Sequence, residues 1–368
     1  MKSFYRIGII AAALLVAFSC QRRQSSGRAV CPFTEALLRD TACTDFRKLS
    51  FAAKNYRKGN IYVIGEPRQV RALSQDLLGS DRFNNISGKA SPDGLHDFAG
   101  ETFAAILDEL NSPYDTYISS GKEDSLCAVN VRNYLSALDT CYFLNNYDLS
   151  GAGRKKTAKI VILASSLSSM YGYYDIDSLN RVAGSKAEVV TPLHAMLEEA
   201  GARFGKNLNI GIWAPSGNLA SGIYTEVLKE HKRNDGPVSQ YTIVSPVFGP
   251  DSLFAAFIDF MKRYSSSESG RKLSAVIVDD WNVDIDSLRS VVSQVKNISH
   301  DSLLNYKMML GGDFDVIGIK ESVSKACYRR LRSGNLFTHR ISYPRLETFK
   351  TEAAHGDGAP ILVGQDVY

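Results

Sequence analysis

The chain lacks most of the short signatures by which an enzyme announces itself. There is no Gly-x-Ser-x-Gly elbow, no Walker loop, no His-Glu-x-x-His and no dinucleotide fingerprint in its 368 residues, which removes the commonest hydrolase, nucleotide-binding, zinc-protease and nicotinamide classes. Six cysteines and six histidines are scattered without any C-x-x-C or Cys/His spacing, so the sequence implies no metal site and no cofactor. A strong charge of either sign is missing too. The 43 lysines and arginines nearly balance 39 acids for a formal charge of +4, which gives no case for nucleic acid. The longest apolar run, Ile7 to Phe18, is too short to span a bilayer comfortably.

That run has a different meaning. Lys2 and Arg6 precede it, Val16-Ala-Phe-Ser-Cys20 closes it, and polar Gln21-Arg-Arg-Gln-Ser-Ser-Gly27 follows. The order charged, apolar, small is that of a secretory signal, and its end resembles the lipobox of bacterial lipoproteins. The resemblance implies cleavage of residues 1–19, lipid attachment at Cys20 and tethering to a membrane. Loss of Lys2 and Arg6 lowers the charge from +4 to +2. Surface-exported lipoproteins of some Gram-negative groups carry acids after the cysteine, whereas Arg22-Arg23 is basic, so the expectation is the periplasmic face of the outer membrane. In an exported chain Cys31 with Cys43 and Cys127 with Cys141 are candidate disulfides, buried free thiols being the open alternative.

Beyond a tether and docking segment at 20–57, the composition is that of a globular protein, 44% hydrophobic and 22% charged. Buried strands alternate with amphipathic helices. Asn60-Ile-Tyr-Val-Ile-Gly65 precedes a helix opened by Pro67, Lys159 to Ser166 precedes Pro192 to Phe204, and Leu273 to Trp281 precedes Ser287 to Val295. This alternation predicts an α/β fold of two Rossmann-like lobes with mostly parallel sheets and helices on both faces. The lobes are expected at 58–205, with an insertion at 79–156, and at 206–368. Asp-Ile-Asp-Ser-Leu occurs at both Asp175 and Asp284, pointing to an internal duplication, although five shared residues also arise by chance. The tripeptide Asp-Ser-Leu recurs at Asp124, Asp177, Asp251, Asp286 and Asp301. It resembles the O-glycosylation sequon of Bacteroidetes-type bacteria, and it equally suits helix N-caps.

The most legible stretch is Asn209 to Lys229, a strand, a small-residue turn and a helix. Ala214-Pro-Ser-Gly-Asn-Leu-Ala-Ser-Gly-Ile-Tyr-Thr-Glu226 is similar to the segment that opens the second half of the aspartate/glutamate racemases, and that resemblance implies a carboxylate-binding turn between two α/β halves. The paired thiols of that family have no counterpart here, since Cys327 falls within a helix. The strand ends carry Ser165, Ser166, Asp279 and Asp280 instead.

The first expectation is therefore a lipid-anchored protein that holds a small polar or carboxylate-bearing ligand in an interlobe cleft. Ser216, Gly217, Asn218, Ser221 and Gly222 would donate, Ser165 and Ser166 would face them, and Asp279, Asp280 and Trp281 would supply acceptors and a stacking surface. The alternatives are a racemase-like or hydrolase-like enzyme with carboxylates in place of thiols, Asp279 or Asp97 acting as base, and a structural envelope lipoprotein without a ligand. Asp97 and Glu101, on an expected helix, also suit its first turn without any chemistry. His339 reads as a structural histidine.

Overall fold

A computed structural model describes residues 29–365 apart from 235, 246–251, 268–270, 299–300, 339, 341 and 357. Cys20, Asp251 and His339 lie outside the described residues. The helices Pro32–Arg39 (α1) and Thr44–Asn55 (α2) precede the first strand, Asn60–Gly65 (β1). Pro67–Leu78 (α3), Thr102–Leu107 (β2), Glu123–Leu138 (α4), Ala158–Leu163 (β3), Tyr173–Ala183 (α5) and Glu188–Val190 (β4) follow. After Pro192–Phe204 (α6) comes the second series: Leu208–Trp213 (β5), Ile223–Arg233 (α7), Val238–Val244 (β6), Leu253–Ser267 (α8), Leu273–Val278 (β7), Ile285–Asn297 (α9), Leu310–Gly318 (β8) and Ile319–Ser333 (α10). Arg345–Ala353 (β9) and Pro360–Gln365 (β10) end the described chain.

Two large sheets result, with strand orders β10-β9-β2-β1-β3-β4 and β8-β7-β5-β6, beside a two-stranded ribbon of Cys141–Tyr142 and Gly153–Arg154. Every pairing within the two large sheets is parallel except that of β10 with β9. The fold is thus the α/β class expected, and its central strands β1, β3 and β5 are buried along their whole length, as helices on both faces require. Side-chain alternation sorts each strand between two cores. Ile61, Val63, Ile160, Ile162, Ile210, Ile212, Ala275 and Ile277 share one core between the sheets with residues of α3, α6, α7 and α10. Tyr62, Ile64, Val161 and Leu163 face outward onto α1, α2, α4 and α5, while Trp213, Val276 and Val278 face α8 and α9.

Three expectations change. The chain does not stay in the second lobe to its end, because β9 pairs with β2 in register from Arg345 opposite Thr102. The edge that β2 would otherwise expose is thereby covered. Lys159 fixes the returning chain by donating to the Leu336 carbonyl at 2.8 Å and pairing with Glu101 at 2.5 Å, both side chains fully buried. Second, the range 79–156 is no insertion, since it contributes β2 to the sheet. Third, the segment expected as a helix from His96 to Leu107 forms a turn and then β2. Short apolar runs such as Phe103-Ala-Ala-Ile-Leu107 carry no periodicity that separates strand from helix, and the sheet decides.

Candidate functional site

Both sheets place their switch points toward one another. In the first, β2 and β3 flank β1 on opposite sides, and in the second, β6 and β7 flank β5. Connections leaving in opposite directions open a crevice beyond the carboxyl ends of the strands. The residues just after β1, β3, β5 and β7 line a cleft of about 380 Å³, within the range of small-molecule sites. Glu66, Arg68, Ser165 and Ser166 contribute from the first lobe, and Gly217, Asn218, Asp279, Asp280 and Trp281 from the second. Arg68 reaches across to donate to Asn282 Oδ1 at 2.7 Å.

Asp279 is the centre of this arrangement. It is 1% exposed. Its Oδ1 accepts a hydrogen bond from the Ser166 hydroxyl of the other lobe, and its Oδ2 accepts from Tyr224 Oη at 2.6 Å and from Asn218 Nδ2 at 3.3 Å. Burial raises its carboxyl while these three donors lower it, and burial prevails, leaving its pKa at about 6 instead of 3.8. Asp279 in turn contributes, after burial, to raising the Tyr224 phenol far above its ordinary value. Opposite, burial also raises Glu66, whose Oε1 accepts from the Tyr114 amide at 3.1 Å and Oε2 from Gln69 Nε2 at 2.8 Å. The cleft thus holds two carboxylates on facing lobes, each with raised proton affinity.

Of the residues singled out in the sequence, the fold brings Ser165, Ser166, Gly217, Asn218, Asp279, Asp280 and Trp281 to this cleft. Ser216, Ser221 and Gly222 are not among its lining. Ser221 Oγ donates to the Asn218 carbonyl at 2.6 Å and its own carbonyl accepts from Tyr171 Oη at 3.0 Å, while Gly222, at φ 69°, caps α7. Asp280 folds onto its neighbour, Oδ1 accepting from the Asn282 amide at 2.9 Å and from its side chain at 3.0 Å.

Asp97 is no candidate base. Its carboxylate accepts from Ser80 Oγ at 2.5 Å and from the amides of Arg82 and Phe83 at 2.8 and 2.9 Å, fixing the loop that precedes β2. Cys327 is buried in α10, and burial pushes its thiol up to about 12. The candidate disulfide pairs are also corrected: Cys31, Cys43, Cys127 and Cys141 are all free, and Cys31 lies against Cys127, not Cys43. Glu66 was missed. Its signal is positional, since it follows a wholly buried strand and precedes a helix-opening proline, as Asp279 follows β7.

No family model and no curated protein matches the chain. Among solved structures it is similar to a glutamate racemase from Bacillus anthracis, at 11% identity over 80% of this chain and 90% of that one, with a TM-score of 0.43. A glutamate racemase from Francisella tularensis in complex with D-glutamate matches at 14% identity over 80% and 89%, TM-score 0.41. An arylmalonate decarboxylase matches at 12% identity over 77% and 96%, TM-score 0.33. The expectation of a binding protein without turnover is corrected here. The matched structures are enzymes, and within the cleft protein donors engage both oxygens of Asp279 and Oδ1 of Asp280.

Proposed function

We propose that the chain is an enzyme of proton transfer acting in the interlobe cleft, with Asp279 as the general base and Glu66 as the carboxylate of the facing lobe. One observation carries this reading. A fully buried carboxyl at a strand's carboxyl end, its pKa near 6, is ionised at neutral pH yet retains enough basicity to take a proton from a substrate. Two carboxyls with raised proton affinity on opposite walls allow one to remove a proton while the other returns it. Among the described residues lining the cleft, Glu66, Asp115, Asp279 and Asp280 face the single cation Arg68, a field that favours a substrate bearing an ammonium group. Anchoring to a bacterial envelope membrane through Cys20 belongs to the same proposal and is supported by the signal-like order of residues 1–27.

The test is exchange in deuterium oxide. Wild-type protein incubated with amino acids, their amides and small hydroxy acids is expected to introduce deuterium at an acidic carbon, detected by proton NMR. Asp279→Asn should slow exchange by about 10²–10⁴-fold. Exchange undiminished in that variant, or absent from the wild type across the panel, removes the proposal.

A second reading rests on the Ser166 hydroxyl donating to Asp279, the contact a serine nucleophile makes with its base. It predicts ester or amide hydrolysis that Ser166→Ala abolishes. In proton transfer at carbon the same variant only raises the proton affinity of Asp279 and displaces the pH profile upward.

A further inference from the structure

Away from the cleft, the Asp-Ile-Asp-Ser-Leu repeat is used in two different ways. Asp284 is a helix N-cap, accepting from the Ser287 amide at 2.8 Å at the start of α9. Asp175, its counterpart, is 4% exposed and turns into the outer core of the first lobe, toward Cys31 and Cys127. Both sulfurs are buried as well, and one ligating atom of each of the three residues lies within 4.8 Å of the other two.

We propose that Cys31, Cys127 and Asp175 bind a thiophilic divalent cation of the zinc class, a structural clip that pins α1 to α4 and α5. The residue types and the spacing both suit it. Zinc–sulfur bonds of about 2.3 Å and zinc–oxygen bonds of about 2.0–2.2 Å put tetrahedral ligands roughly 3.4–3.8 Å apart, so modest side-chain movement closes the cluster. The Cys31 amide donates to Asp175 Oδ1 at 2.8 Å, orienting the carboxylate and leaving Oδ2 for the ion. Thr34 Oγ1, 3.4 Å from Cys31 Sγ and fully buried, gives the sulfur an outer partner of the kind that fixes metal ligands. Water completes the fourth position.

Charge balance favours the ion. No lysine or arginine forms an ion pair with Asp175 among the described residues, and an uncompensated buried carboxylate is costly. Two thiol protons leave as one dication enters, so the net charge of the buried cluster is unchanged while Asp175 gains a cation. A Cys31–Cys127 disulfide would leave that carboxylate without one.

The experiment uses the full chain purified without chelator, with metal analysis by mass spectrometry and free-thiol titration of the denatured protein. The expected result is one zinc-class ion per chain, with Cys31, Cys43, Cys127, Cys141 and Cys327 all free thiols after chelation. Reconstitution of the folded apoprotein with Co²⁺ should give a thiolate-to-cobalt charge-transfer band. Cys127→Ser and Asp175→Asn should lose the band, and Cys43→Ser and Cys141→Ser should keep it. Free thiols without metal or a cobalt band, or a peptide cross-linked through Cys31 and Cys127 in the non-reduced digest, overturns the proposal. Because the cobalt test is made on folded wild-type apoprotein, a variant that fails to fold does not blunt it.

Discussion

Replacing Asp279 by asparagine should make the protein more stable at neutral pH while removing its proposed chemistry. The carboxyl titrates at about 6 in the folded chain against 3.8 ordinarily, a difference of about two units, or roughly 3 kcal/mol at about 1.4 kcal/mol per unit. The folded state therefore holds the proton more tightly than the unfolded state. Stability from this group is full below pH 3.8, declines as pH rises toward 6, and above that carries the whole cost of an ionised buried carboxylate. Asparagine has no charge to bury, and its amide still meets the Ser166, Tyr224 and Asn218 groups that now surround the carboxylate. Urea unfolding of both proteins from pH 4 to 8 measures the effect. The advantage of Asp279→Asn should grow by about 2 kcal/mol between pH 4 and 6 and level off above pH 7. A difference that is flat across this range, or that shrinks as pH rises, would refute the assignment of a raised carboxyl at the centre of the cleft.

Lys159→Met should destabilise the fold by about 3–5 kcal/mol, because Glu101 stays buried without its partner; urea unfolding checks this, and Lys159→Met with Glu101→Gln should recover much of the loss. For any substrate found by deuterium exchange, kcat/KM should fall on the acid side with an apparent pKa of about 6, the ionised Asp279 being the active form, and a flat acid limb in a pH-rate profile counts against it. Cys20→Ala should release the protein from the membrane fraction in cell fractionation, and unchanged partitioning would refute lipid anchoring.

The class of fold was legible in the residues alone. Strand-turn-helix units such as Asn60–Leu78 and Asn209–Lys229 are legible because an apolar run, a helix-opening proline or glycine and an amphipathic period follow one another locally, and local signals need no knowledge of distant chain. The sequence also placed Ser166, Asn218 and Asp279 at strand ends, where α/β sheets bind ligands. Which of these ends meet is set by the packing of the two sheets. Ser166 and Asp279 are 113 residues apart in the chain and become partners because the two switch points face one another. The return of Arg345–Gln365 to the first sheet was invisible for the same reason, since the edge it covers is created by β2, more than two hundred residues earlier. Whether an aspartate caps a helix, as Asp284 does, or turns inward upon two sulfurs, as Asp175 does, is not written in the shared Asp-Ile-Asp-Ser-Leu. Packing against α1 decides it, because only there does the chain bring Cys31 close enough to draw that carboxylate inside.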